Sequence, residues 1–165
     1  MVSLKTTEMS GLFMTGLCLL LALTVCTRLQ AGERAGIAVM FVKAVNQNDI
    51  ETVAKLTADQ LAVRTHEWRP VPNEYAFEYG KTSDFRLHNK QEIRDFFKSH
   101  IQQLKVESAG PIRYSLDQLH TELGDLAAIW QDLHIFLFQR GMGDVEHIFV
   151  VGVDRDNRIR GIYYN

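Results

Sequence analysis

Asp132 and His134 stand two residues apart in the run Leu126–Gln139. Read as one strand, that run sends both side chains to the same face, because successive side chains of a strand alternate. A carboxylate beside an imidazole selects one tautomer of the ring and raises its basicity, so His134 becomes a candidate base with Asp132 as its orienting carboxylate. Trp130 and Phe136 share that face and give the pair aromatic surroundings. The competing reading places this face outside any pocket, since Ala127, Ile129, Leu133, Ile135 and Leu137 make the opposite face the more uniformly apolar one. His100 is the third candidate acid or base. It interrupts an apolar helical stripe, where a histidine bonded to backbone is the ordinary alternative. His120 and His147 fall on neighbouring predicted strands, but no histidines or carboxylates have the short-range spacing of a metal site, and none is expected.

Other chemistries are excluded by what is missing. There is no Gly-x-Ser-x-Gly elbow, phosphate-binding loop or dinucleotide fingerprint, so no cofactor is expected. Gly141-Met142-Gly143 reads as a hairpin turn, and Arg155–Arg160 as a solvated turn. Both cysteines, Cys18 and Cys26, lie in the N-terminal segment, which leaves the rest without a disulfide, thiol nucleophile or thiolate site. Of 18 basic and 20 acidic residues, Lys5, Arg28 and Glu8 also belong to that segment. The remainder keeps 16 and 19, a net charge of −3, and offers a nucleic acid no electrostatic attraction.

The N-terminal segment is set apart by its own composition. Gly11–Cys26 carries no charge and is mostly apolar, with Lys5 before it and Arg28 after it. A cleaved export signal, a retained anchor at the short edge of a membrane-spanning length, and a lipid-modified Cys26 are the three readings. The chain is therefore divided into residues 1–31, signal or anchor, and residues 32–165, one domain. It is expected to be secreted or periplasmic, or held at a membrane through residues 11–27.

The elements that would position the candidate residues follow from periodicity. Ile37, Phe41, Ala44 and Val45 recur at helical spacing within Glu33–Gln47. Asn48 and Glu51 have capping-box spacing ahead of Ile50, Val53 and Leu56, the apolar face of a second helix. Leu61–His66 reads as a strand. Trp68–His88 is a long aromatic loop in which Tyr75–Tyr79 alternates as a strand or lid. Asn89 and Glu92 repeat the capping spacing, and Ile93, Phe96, Phe97, His100, Ile101 and Leu104 form one stripe of a third helix. Ile112–Thr121, Leu126–Gln139, Glu146–Val153 and Arg158–Tyr164 read as strands separated by turns at Gly124-Asp125, Gly141–Gly143 and Asp156-Asn157. Helices first and a meander last is an α+β pattern, with the helices on one face of an antiparallel sheet.

This order, with Asn48-Asp49-Ile50-Glu51, Asn89-Lys90-Gln91-Glu92-Ile93, Gly124-Asp125-Leu126-Ala127 and Asp156-Asn157-Arg158-Ile159, resembles the nuclear transport factor 2-like superfamily, the ketosteroid-isomerase-like or cystatin-like cone. The resemblance covers about Ala35 to Tyr164. It implies three helices on a strongly curved antiparallel sheet with an internal pocket, preceded here by the hydrophobic N-terminal helix. The ketosteroid-isomerase branch needs a tyrosine, a carboxylate base and a protonated aspartate. Their positions fall on Phe41, on Thr65 with Glu67 nearby, and within Ile148–Val153, which has no carboxylate; that activity is not expected.

The functional expectation is a cone that binds a small apolar ligand. Phe41, Tyr75, Tyr79, Phe97, Trp130 and Phe149 would line its pocket, and His134, Asp132 and His100 would supply any proton-transfer chemistry of isomerase, dehydratase or hydrolase type. The alternative is a non-catalytic dimerisation or assembly module of an envelope complex. Leu126, Trp130, Phe136 and Phe138 load the second face of the sheet with apolar surface, and a homodimer through that face is the expected assembly.

Overall fold

A computed structural model gives the structure of the protein and describes residues 31–70, 77–106, 112–114, 123–140 and 147–165. The side chains at 68–70, 77–79, 112–114, 125, 140 and 147 lie outside that description, as do residues 1–30 with the candidate export or anchor segment. The chain divides into two compact units, Met1–Glu33 and Arg34–Asn165. Among the described residues, no helix is long and apolar enough to cross a membrane.

Residues 31–46 form helix α1. Ala38, Phe41, Val42, Ala44 and Val45 are its buried stripe, as the helical spacing requires. The helix stops at Asn48, which takes a left-handed φ of 57°. Asn48 N–H then donates to the Val45 carbonyl (3.1 Å) and Asp49 N–H to that of Ala44 (2.9 Å), a Schellman closure. Asn48 is therefore the terminator of α1 and not the cap expected for the next helix. Asp49 takes that role at α2, Ile50–Leu56, where its carboxylate accepts from Thr52 N–H (3.0 Å) and the Thr52 hydroxyl (2.6 Å). Helix α3 spans Lys90–His100, and a 3₁₀ turn over Ile101–Leu104 continues it. Its cap is the one that the sequence marks. Asn89 accepts from Glu92 N–H (2.9 Å), while the Glu92 carboxylate accepts from Asn89 Nδ2 (2.7 Å) and His88 N–H (2.8 Å).

The strands are β1, Thr57–Pro70; β2, Phe77–Leu87; β3, Ile112–Tyr114; β4, His134–Arg140; β5, His147–Val153; and β6, Ile159–Tyr164. They form one sheet of order β2-β1-β6-β5-β4-β3. The sheet is mixed, which corrects the expected antiparallel arrangement: β1 runs parallel to β6, and every other pairing is antiparallel. Short turns enforce antiparallel neighbours, but the first and last strands are joined through all the rest of the domain and carry no such restriction.

Both faces of this sheet are covered. On one face Leu61, Val63, Phe136, Phe138, Phe149, Val151, Val153, Ile159, Ile162 and Tyr164 pack with α1, α2 and α3. On the other, called the outer face below, Ala62, Ile135, Leu137, Val150 and Tyr163 pack against a helical stretch, not a strand. Gly124–Leu126 is a 3₁₀ turn and Ala127–Trp130 a short helix, α4. The expected strand Leu126–Gln139 is thus corrected to β4 alone. Leu123, Leu126, Ala127 and Trp130 are buried at helical spacing and roof the outer face.

The roof is seated by two glycines. Gly152 and Gly161 are opposite one another on β5 and β6. A Cβ on Gly161 would stand 2.6 Å from Cε2 and 2.7 Å from Cζ2 of Trp130, and one on Gly152 would meet the same indole at 3.1 Å. The bare backbone of both residues is what admits the ring, which is 0% exposed. Gly124 serves the same roof through its φ of +48°, with the Arg64 guanidinium lying against it.

Candidate functional site

The expected catalytic pair is not on one strand face. Asp132 lies in the turn before β4 with its side chain 82% exposed, and its carboxylate accepts from Arg155 Nη2 at 3.4 Å. His134 opens β4 opposite Val153. By alternation with Phe136 and Phe138 it falls on the face that carries the helices. Trp130, expected beside them, ends α4 on the outer face. The reason is the helical geometry of residues 123–130, which ends the two-residue alternation on which the pairing depends.

His100 is held as a structural histidine. Its Nδ1 donates to the Phe96 carbonyl at 2.9 Å; a carbonyl only accepts, so Nδ1 carries the hydrogen. The ring stacks on Phe96 (centroids 4.3 Å, 15° between planes) and meets Phe85 edge-on at 5.6 Å. Phe41, Phe97 and Phe149 come together, but as core. Phe41 meets Phe97 edge-to-face at 5.9 Å and stacks on Phe149 at 6.4 Å, and all three are fully buried. Tyr75, Tyr79 and Trp68 lie outside the described side chains, as do His120 and His147. Among the described residues no group of His, Cys, Asp or Glu could hold a metal ion. Leu126, Trp130, Phe136 and Phe138, expected as an exposed second face, are all buried within the chain; the exposed large apolar side chains described are Val39 and Met40 on α1.

A cleft forms elsewhere, on the outer face between the sheet and α4. Its volume is about 180 Å³. Ala62 of β1 and Ile129 of α4 supply its apolar walls; Leu61 and Leu87 border it from strands whose side chains at those positions belong to the helix-side core. Gln60, Arg86, His88 and Arg160 supply the polar ones.

Backbone register brings the two arginines together. Ala62 pairs with Arg86 across β1 and β2, and directly opposed residues share a face. Ala62 belongs to the outer cluster, so Arg86 stands on that side. Arg160 arrives by a bulge. Gly152 pairs with Gly161, but Val153 pairs with Ile159, which leaves Arg160 as the extra residue of β6. Ile159 is buried on the helix side and Gly161 lies under Trp130. An extra residue breaks strict alternation and redirects a side chain; Arg160 joins the cleft.

The neighbouring charges are already matched. Arg64 binds Asp84 through two parallel hydrogen bonds, Nε to Oδ1 at 2.7 Å and Nη2 to Oδ2 at 2.6 Å. The hydrogen bonds from Arg64 hold the Asp84 carboxyl below the usual carboxylate range. Next to them, His66 meets the Thr82 hydroxyl at 3.0 Å and packs against Tyr163 at 5.4 Å. Lys90 is turned to the end of α2, where its Nζ donates to the carbonyls of Ala54 (2.9 Å), Thr57 and Ala58 (3.2 Å). Desolvation by burial lowers its pKa. Among the described residues, no carboxylate lines the cleft.

Sequence reasoning missed Arg86, His88 and Arg160. Arg86 and His88 stand two residues apart at the end of β2, but Arg160 belongs to β6, and only the register and the bulge join it to them.

No family model matches the chain, and no curated protein does. Among solved structures it is similar to a protein of unknown function with a cystatin-like fold from Methylobium petroleophilum PM1. The identity is 8%, the TM-score is 0.46, and the match covers 81% of this chain and 75% of that one.

Proposed function

We propose that residues 32–165 are a small-molecule-binding domain of the nuclear transport factor 2-like type, and that they bind in the outer-face cleft and not between helices and sheet. The order of three helices and a β2-β1-β6-β5-β4-β3 sheet supports the fold assignment. One observation carries the functional reading. Phe41, Phe97 and Phe149, expected to line an internal pocket, pack on one another as core, while a cleft of about 180 Å³ with mixed polar and apolar walls opens on the other side. That volume is below the roughly 300–1,000 Å³ of sites for drug-sized ligands, so the ligand is a small molecule or one end of a larger one.

Binding, without turnover, suits these walls. Gln60, Arg86, His88 and Arg160 orient and hold, and the carboxylate next to His88, Glu92, is engaged by the His88 backbone N–H and the α3 cap. The uncharged run Gly11–Cys26 supports an exported or membrane-tethered location. The test is a screen of small fragments against the isotope-labelled protein by amide chemical shifts. Shifts gathered at Ala62, Arg86 and Ile129 are the expected result. Shifts gathered at Phe41, Phe97 and Phe149 would return the site to the interior of the cone.

A further inference from the structure

We propose that the ligand of the outer-face cleft is a small organic oxyanion, a carboxylate or a phosphate monoester on a short apolar body, gripped by Arg86 and Arg160. The inference rests on the binding role given above to the same cleft.

The argument is one of unmatched charge. Arg64 is neutralised by Asp84, Arg94 by Glu51 and Arg155 by Asp132, while Arg158 caps the Lys55 carbonyl. Arg86 and Arg160 have no ion-pair partner among the described residues, yet both line one cleft, with His88 and Gln60 as further hydrogen-bonding groups. Asp84, the acid two residues from Arg86 on β2, has both carboxylate oxygens engaged by Arg64. Glu92, beyond His88, is committed to the α3 cap. The bulge in β6 places Arg160 on the same cleft as Arg86. An oxyanion there would accept charge-assisted hydrogen bonds, which the planar guanidinium fork matches geometrically. The walls from Ala62 and Ile129 add an apolar surface that inorganic phosphate would leave uncovered. A short hydrocarbon on the anion would fill it.

The full chain, isotope-labelled, is titrated with butyrate, butyl phosphate and butan-1-ol, with the Ala62 and Ile129 amides as readout. At least one of the two anions is expected to bind about tenfold or more tightly than butan-1-ol, and their order separates the carboxylate from the phosphate. Arg86→Gln and Arg160→Gln are each expected to weaken that anion about threefold to tenfold, with Arg→Lys at either position losing less. Arg155→Gln removes the same charge at the Asp132 pair and should leave binding unchanged. The amide spectrum reports folding of each variant directly. If butan-1-ol binds as well as the anions, or the arginine variants bind like the parent, the oxyanion inference is overturned and the cleft remains a neutral-ligand site. If none of the three probes moves the Ala62 and Ile129 amides, both the inference and the binding role of the cleft fall.

Discussion

Gly161→Ala is the sharpest probe of the packing that builds the cleft. The added Cβ would lie 2.6 Å from Cε2 and 2.7 Å from Cζ2 of Trp130, where ordinary contact begins at about 3.4 Å. Both atoms belong to the fused part of the indole, so no rotation of a flexible tip relieves the overlap. The ring must translate by several tenths of an ångström within a cluster that also holds Leu123, Leu126 and Tyr163. Overpacking of this kind costs about 1–3 kcal/mol. Replacing glycine by alanine returns about 0.4–1 kcal/mol through the unfolded chain, because Gly161 does not need a positive φ. The expected net loss is about 1–2 kcal/mol, read from urea midpoints followed by circular dichroism at unchanged slope. Gly152→Ala should cost less. Its tightest new contact is 2.6 Å to Leu133 Cδ1, the end of a flexible side chain, and its indole contacts are 3.1 and 3.2 Å. Trp130→Leu is expected to abolish the penalty of Gly161→Ala in the double variant, a coupling that a general backbone effect would not produce. Stability of Gly161→Ala equal to the parent, or an undiminished penalty without Trp130, would refute the seating of the indole on the glycines.

Three further outcomes follow from local geometry. Lys90→Met strips the α2 terminus of its cation and leaves the carbonyls of Ala54, Thr57 and Ala58 to water, with an expected loss of about 1–3 kcal/mol in urea unfolding. Asn48→Val places a β-branched residue at a φ of 57° and is expected to destabilise by about 1–2 kcal/mol, whereas Asn48→Gly should be tolerated; midpoints for the pair decide it. Asp84 has its pKa lowered by the Arg64 hydrogen bonds, so its contribution to stability is fully present above the ordinary carboxylate pKa of about 3.9 and is lost as pH falls through the lower folded value. Asp84→Asn should therefore be less stable than the parent at pH 7, with the difference shrinking toward acid; a difference that persists unchanged at the acid end would contradict the assignment.

The α3 cap and the helix stripes are legible because they are local. Asn89 and Glu92 are three residues apart and marked α3, and the spacing of Ile93, Phe96 and Phe97 named its buried face. At α2 the same reasoning chose Asn48 over Asp49. Either residue can cap, and only the left-handed turn that closes α1 assigns them different roles. Residues 126–130 read as the start of a strand because apolar residues stand on both faces of the supposed alternation. The spacing of Leu123, Leu126, Ala127 and Trp130 is helical, and that signal was present.

The sequence by itself determined the α+β class, the α3 cap, the buried helix stripes and the turn at Asp156-Asn157, because each depends on residues within a few positions of one another. Tertiary structure alone decided that β1 lies parallel to β6, that Trp130 roofs Gly152 and Gly161, and that Arg86 and Arg160 share a cleft. Alternation divides a strand into two faces but names neither its neighbour nor its register. A single extra residue in β6 changes which side chains meet, and that residue is recognised only once β5 and β6 are paired.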